Sequence, residues 1–87
     1  MVWTLEFDAT ARKQLRKLPK DIGGRILDGL EIVAAAENPR DKGKSMTGDW
    51  AGHWRYRIGD YRAIARIEDS RMVILVVALG HLREVYR

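Results

Sequence analysis

Hydrophobic and polar positions alternate at the start of the chain. Trp3, Leu5 and Phe7 fall on one side, and Val2, Thr4 and Glu6 on the other. A period of two reads as a strand, Val2 to Phe7, with one buried aromatic face. The period then lengthens. Ala11, Leu15 and Leu18 recur at helical spacing, with Arg12, Lys13, Arg16 and Lys17 turned away. Asp8 stands at the N-cap position, Phe7 can staple the first turn, and Pro19 closes the helix. A second helical stripe of Ile22, Ile26, Leu30 and Val33, widened by Leu27 and Ala34, runs from about Lys20 to Glu37. Gly23, Gly24 and Gly29 weaken it, and Asn38-Pro39 ends it. Two such stripes joined by a very short turn predict an antiparallel helical hairpin.

Arg40 to Gly52 reads as loop. Three strands follow closely. His53 to Ile58 sets Trp54, Tyr56 and Ile58 against His53, Arg55 and Arg57. After the turn pair Gly59-Asp60, Tyr61 to Glu68 sets Tyr61, Ala63, Ala65 and Ile67 against Arg62, Ile64 and Arg66. After the tight turn Asp69-Ser70-Arg71, Met72 to Leu79 is nearly all apolar, as suits a central strand covered on both faces. Gly80 is expected to break it, leaving His81 to Arg87 as a tail. The order β-α-α-β-β-β predicts an α+β fold: an N-terminal strand and a helical hairpin packed on one face of a mainly antiparallel sheet.

The chain has 87 residues, enough for one core and one domain spanning 1–87. A deep substrate cavity does not fit in so small a core, so an active site is expected on an open sheet or helix face. The absence of Cys excludes disulfides, thiolate metal sites and cysteine nucleophiles. With two His, a closed zinc site would need carboxylates to complete it. No apolar run is long enough to span a membrane, and the first residues lack a signal-peptide core. A cytoplasmic protein is expected.

Charge sharpens this picture through its distribution. Lys and Arg number 16 against 12 Asp and Glu, a net charge of +4. The last lysine is Lys44, and every later cation is an arginine. Guanidinium offers a planar fork of donors that fits phosphate or carboxylate, and it stays protonated. Period two puts Arg55 and Arg57 on one face of their strand, and hairpin pairing can bring Arg62 beside them. Like charges on neighbouring strands repel, and an anion lying across the face would relieve them. The structural alternative pairs each Arg with Asp60, Glu68, Asp69 or Glu84. Arg does not lose its proton at neutral pH, whereas His81 can serve as a general base. Tyr86 can donate a proton or stack on a base.

These residues carry a resemblance. The run Asn38-Pro39-Arg40, Gly43-Lys44, Gly48, then Gly52-His53-Trp54-Arg55-Tyr56-Arg57-Ile58-Gly59-Asp60-Tyr61-Arg62, followed by Gly80-His81 and Glu84-Val85-Tyr86, resembles the RelE/ParE toxin superfamily. Ala11, Leu15, Leu18 and Pro19 extend the likeness over essentially the whole chain. The resemblance implies the toxin of a type II toxin–antitoxin pair. In the RelE-like branch it implies ribosome-dependent cleavage of mRNA, in which the ribose 2′-OH attacks the adjacent phosphorus without a metal or cofactor. By position it implies catalytic roles for Arg62, His81 and Tyr86, and RNA binding by Lys44, His53, Arg55, Arg57 and Arg83. The implied partners are the ribosome, mRNA and a RelB-like acidic antitoxin that folds on the toxin and carries the pair to operator DNA. Lysines stand in some RelE-like toxins where this chain has His53, Arg55 and Arg57. The ParE-like branch shares the fold and implies inhibition of DNA gyrase without catalysis.

Overall fold

The computed structural model describes residues 3–83. The opening strand, β1 (Thr4–Phe7), leads into α1 (Ala9–Lys17). Asp8 caps α1 as expected: its carboxylate accepts the Ala11 N–H at 2.8 Å. Pro19 sits at the N-cap of α2 (Lys20–Ala35), so one residue pair ends one helix and starts the next. α2 stops two residues before Glu37, because Ala36 is already extended. The segment read as loop holds more structure than expected. Pro39–Lys42 forms a 3-10 turn capped by the Asn38 side chain, and β2 (Lys44–Ser45) adds a short strand. A second 3-10 turn, Gly48–Trp50, precedes β3 (Trp54–Ile58). β4 (Tyr61–Glu68) and β5 (Val73–His81) complete the sheet, joined through a 3-10 turn at Asp69–Arg71. Met72 closes that turn in the left-handed region, at φ 51°, so β5 begins one residue later than the apolar run.

The sheet has five strands in the order β1-β5-β4-β3-β2. All pairs are antiparallel except β1 with β5, which is parallel. Both helices cover one face. Their stripes, with Ala11, Ile26, Leu30 and Val33, pack on Tyr56, Ala63, Ala65, Ile74, Val76 and Leu79.

One departure from alternation decides where the end of β5 points. Ile64 pairs with Ala78 but Ala65 pairs with Val76, which leaves Val77 unmatched as a bulge. Val76 and Leu79 therefore both enter the core although they are an odd number of residues apart. Gly80 does not break the strand; it pairs with Arg62, and His81 pairs with Tyr61. Beyond Val76, the partner of Phe7, β5 has no strand on its outer side among the described residues. There the Leu79 N–H is satisfied by the Gln14 side-chain carbonyl of α1, at 2.8 Å.

Candidate functional site

The face of the sheet away from the helices carries the charge. Trp54, Tyr56 and Ile58 turn toward the helices, so Arg55 and Arg57 turn the other way. Cross-strand register then sets their neighbours: Arg57 is directly opposite Arg62, and Lys44 is directly opposite Arg55. These four, with Lys42 and Gly43, line one open hollow of about 220 Å³. Arg55 and Arg62 are half-buried, whereas Lys42, Lys44 and Arg57 are exposed. Ile64, fully buried, lies between them as the cross-strand partner of Arg55.

The two ends of this face are electrostatically different. At one end Arg71 reaches Glu68 at 2.6 Å and Glu6 at 3.4 Å, and Arg66 reaches Glu68 at 3.4 Å. Hydrogen bonding from Arg71 holds the Glu68 carboxyl below its ordinary range. Arg40 grips Asp69 with both terminal nitrogens, at 3.0 and 2.7 Å, and the Asp69 carboxyl is lowered for the same reason. The pairing of arginines with acids thus holds for Arg66, Arg71 and Arg40. At the other end, among the described residues, Lys44, Arg55 and Arg57 make no ion pair. Arg57 donates through Nε to the Gly59 carbonyl at 3.1 Å, which leaves its two terminal nitrogens to aim outward.

The loop before β3 is buttressed from below. The buried Tyr56 hydroxyl donates to the Pro39 carbonyl at 3.0 Å. A Cβ on Gly43 would come within 2.6 Å of the Tyr56 ring and 2.7 Å of the Arg55 carbonyl, so only glycine lets Lys42 and Lys44 approach β3 so closely.

The remaining sequence-derived residues are placed as follows. His53 shares the open face by alternation, but it lies four residues from Arg57, about 13 Å along the strand. Its Nδ1 donates to the Trp50 carbonyl at 3.2 Å, because a carbonyl only accepts. His81 is not beside Arg62. It packs edge-on against Tyr61, ring centroids 5.5 Å apart, and lines a separate hollow with Gln14, Lys17 and Leu18 of α1. Its Nδ1 accepts the Arg83 N–H at 3.3 Å. His81 follows Gly80, the cross-strand partner of Arg62, and the Val77 bulge turns its side chain to the helix side. Arg83 is exposed in the turn after β5 and does not line the cationic hollow. Tyr86 lies outside the described residues. Lys42 is a lining residue that the sequence reading does not single out: it ends the 3-10 turn Pro39–Lys42, outside the strand pattern.

A family model described as the ParE toxin of the type II toxin–antitoxin system parDE matches residues 5–86. The chain belongs to this RelE/ParE superfamily of toxins. This toxin is 30% identical over 87 residues to Toxin RelG of Mycobacterium tuberculosis, covering 100% of this chain and 99% of that protein. A chain of the crystal structure of the M. tuberculosis toxin–antitoxin complex RelBE2 superposes with a TM-score of 0.84 at 28% identity, covering 93% of this chain and 92% of that one. A chain of the archaeal RelE–RelB complex from Pyrococcus horikoshii gives 0.71 at 27% identity, covering 98% and 100%. The toxin shares with these proteins the two helices on one face of a five-stranded sheet. No helix among its described residues is long and apolar enough to cross a membrane.

Proposed function

We propose that this toxin is a ribosome-dependent endoribonuclease that cleaves mRNA on the open face of its sheet. The observation that carries the reading is the hollow in which Arg55, Arg57 and Arg62 converge with Lys42 and Lys44, two of the arginines without an acidic partner among the described residues. Arg57 stands directly opposite Arg62, and a phosphodiester lying over Arg55 and Arg57 would meet guanidinium forks at its non-bridging oxygens.

In the proposed reaction the ribose 2′-oxygen attacks the adjacent phosphorus, forming a 2′,3′-cyclic phosphate as the bond to the 5′-oxygen breaks. The 2′ proton leaves to a base and the 5′-oxygen takes one up. Charge grows on the non-bridging oxygens in the transition state. Arg62, half-buried and fixed by its place on β4, is assigned to stabilise that charge. Arg55, Arg57, Lys42 and Lys44 position the RNA backbone. Tyr86 is assigned to proton donation or base stacking, as the family resemblance implies. His81 carries no proton in this scheme, since it faces α1.

The structural relatives include RelB–RelE complexes, and an open face lined by Lys42, Lys44, Arg55, Arg57 and Arg62 suits an acidic chain that folds on it. We therefore assign the toxin an antitoxin of that character, through which the pair would bind operator DNA. The ParE name of the matching family model keeps one second reading, inhibition of DNA gyrase without catalysis. Pulse-labelling after induction separates them. The proposal expects protein synthesis to stop first, with DNA synthesis continuing. Early DNA breaks with translation intact would establish the second reading.

A further inference from the structure

A second hollow adjoins the cationic one. It measures about 320 Å³ and is lined by Ser45, Met46, Thr47, Trp50 and Arg55. Arg55 belongs to both hollows, so the two are neighbours that share its side chain as a common wall. The linings differ sharply in chemistry. The first is a cluster of cations. The second offers an indole, a thioether, two hydroxyls and one guanidinium.

We propose that this second hollow is a nucleobase subsite, holding the base of a nucleotide whose phosphate is bound at Arg55. The inference rests on the RNA reading above and adds to it where a base is gripped. A base has a π-face that stacks on an indole, and its edge carries donors and acceptors that hydroxyls can meet. The volume is large enough for a planar heterocycle. Arg55 and Arg57 are two residues apart on β3, about 6.5 Å, a step that suits successive phosphates of an extended strand.

The subsite is held in shape by the loop that carries it. The Met46 N–H donates to the His53 carbonyl at 3.0 Å, and the His53 N–H to the Trp50 carbonyl at 3.0 Å. The His53 ring meets the Trp50 ring at 87° with centroids 5.3 Å apart, and its Nδ1 bonds the same carbonyl. His53 is thereby a positioning residue for Trp50. Gly48 and Gly52 take positive φ of 67° and 87°, which lets the chain reverse tightly on both sides of Trp50. Trp50 is half-buried.

The test is binding of a short single-stranded RNA, 2′-O-methylated so that it is not cut, with an abasic residue placed at each position in turn. At one position the abasic substitution is expected to weaken binding to the wild-type toxin about 5- to 150-fold. Trp50→Ala is expected to lose a similar factor with intact RNA and nothing more with that abasic RNA, while its salt dependence stays as in wild type. Trp50→Phe should recover most of the loss, which a purely structural role for the loop would not predict to track the base. Uniform tolerance of abasic residues by the wild type would overturn the subsite, and that arm needs no variant to fold. Equal binding by Trp50→Ala and wild type would overturn it as well. If the intact RNA fails to bind and Arg57→Ala changes nothing, the RNA reading itself falls, a result distinct from loss of the subsite alone.

Discussion

Arg57 on β3 and Arg62 on β4 are direct cross-strand partners on the exposed face of the sheet. Arg57 makes no ion pair among the described residues and is exposed, so its guanidinium is available to a phosphate. Arg57→Ala is expected to leave thermal stability unchanged or slightly raised, within about 0.5 kcal/mol. The same variant should bind single-stranded RNA more weakly and lower the slope of log K against log salt by about 0.7. Salt-dependent titrations of wild type and variant check both. Unfolding of Arg57→Ala would make its guanidinium a structural group.

His81 separates the structural account from an assignment by motif. It packs on Tyr61 toward α1, away from Arg62. His81→Gln should therefore keep cleavage within a few-fold and keep its pH profile. It should cost about 0.5–1.5 kcal/mol of stability through the lost ring contact. A flattened pH profile in a folded His81→Gln protein would bring the imidazole into the chemistry.

Tyr56 ties the loop to the sheet. Burial pushes its hydroxyl up to about 12 from an ordinary value of 10.0. A folded-state value above the unfolded one means that the native protein holds a proton the unfolded chain has released. Its stabilising contribution is complete below pH 10 and declines as pH rises toward 12, by about 1.4 kcal/mol per pH unit. Tyr56→Phe should abolish that decline. It should also cost about 1–3 kcal/mol at neutral pH by leaving the Pro39 carbonyl without its donor. Denaturant titrations across pH 8–12 measure both.

Two glycines in the same protein should respond in opposite directions. Gly43→Ala forces a Cβ into the Tyr56 ring and the Arg55 backbone, and should destabilise by about 1–3 kcal/mol while displacing Lys44. Gly24 lies inside α2 with nothing within 4 Å of its Cβ position, so Gly24→Ala should stabilise by about 0.5–1 kcal/mol. Thermal melts of the two variants test the contrast.

Much of this was legible in the residues. Alternation through Trp54-Arg55-Tyr56-Arg57 settled which side chains face the helices, and Gly59-Asp60 fixed a hairpin tight enough to set Arg57 against Arg62. The helices were visible because Asp8 and Pro19 bound the first and Pro39 follows the second. What period two could not reveal was the bulge. In a run as uniformly apolar as Val73 to Leu79, no polar residue marks which face is which, so the unmatched Val77 leaves no trace. Strict alternation from Val76 would have turned His81 toward Arg62; the bulge turns it away. The second hollow was equally hidden. Trp50 and Met46 lie in a glycine-rich loop without periodicity, and only tertiary closure of that loop on His53 brings them to Arg55.

The central claim is that the arginine-lined face cuts RNA, with Arg62 stabilising the transition state. The most direct measurement maps cuts in ribosome-bound mRNA by primer extension, comparing wild type with a folded Arg62→Ala protein. The account predicts discrete cuts by wild type and a rate about 10²–10³-fold lower for the variant, with a smaller change in affinity. Equal cutting by both proteins, or no cutting by wild type, would contradict it.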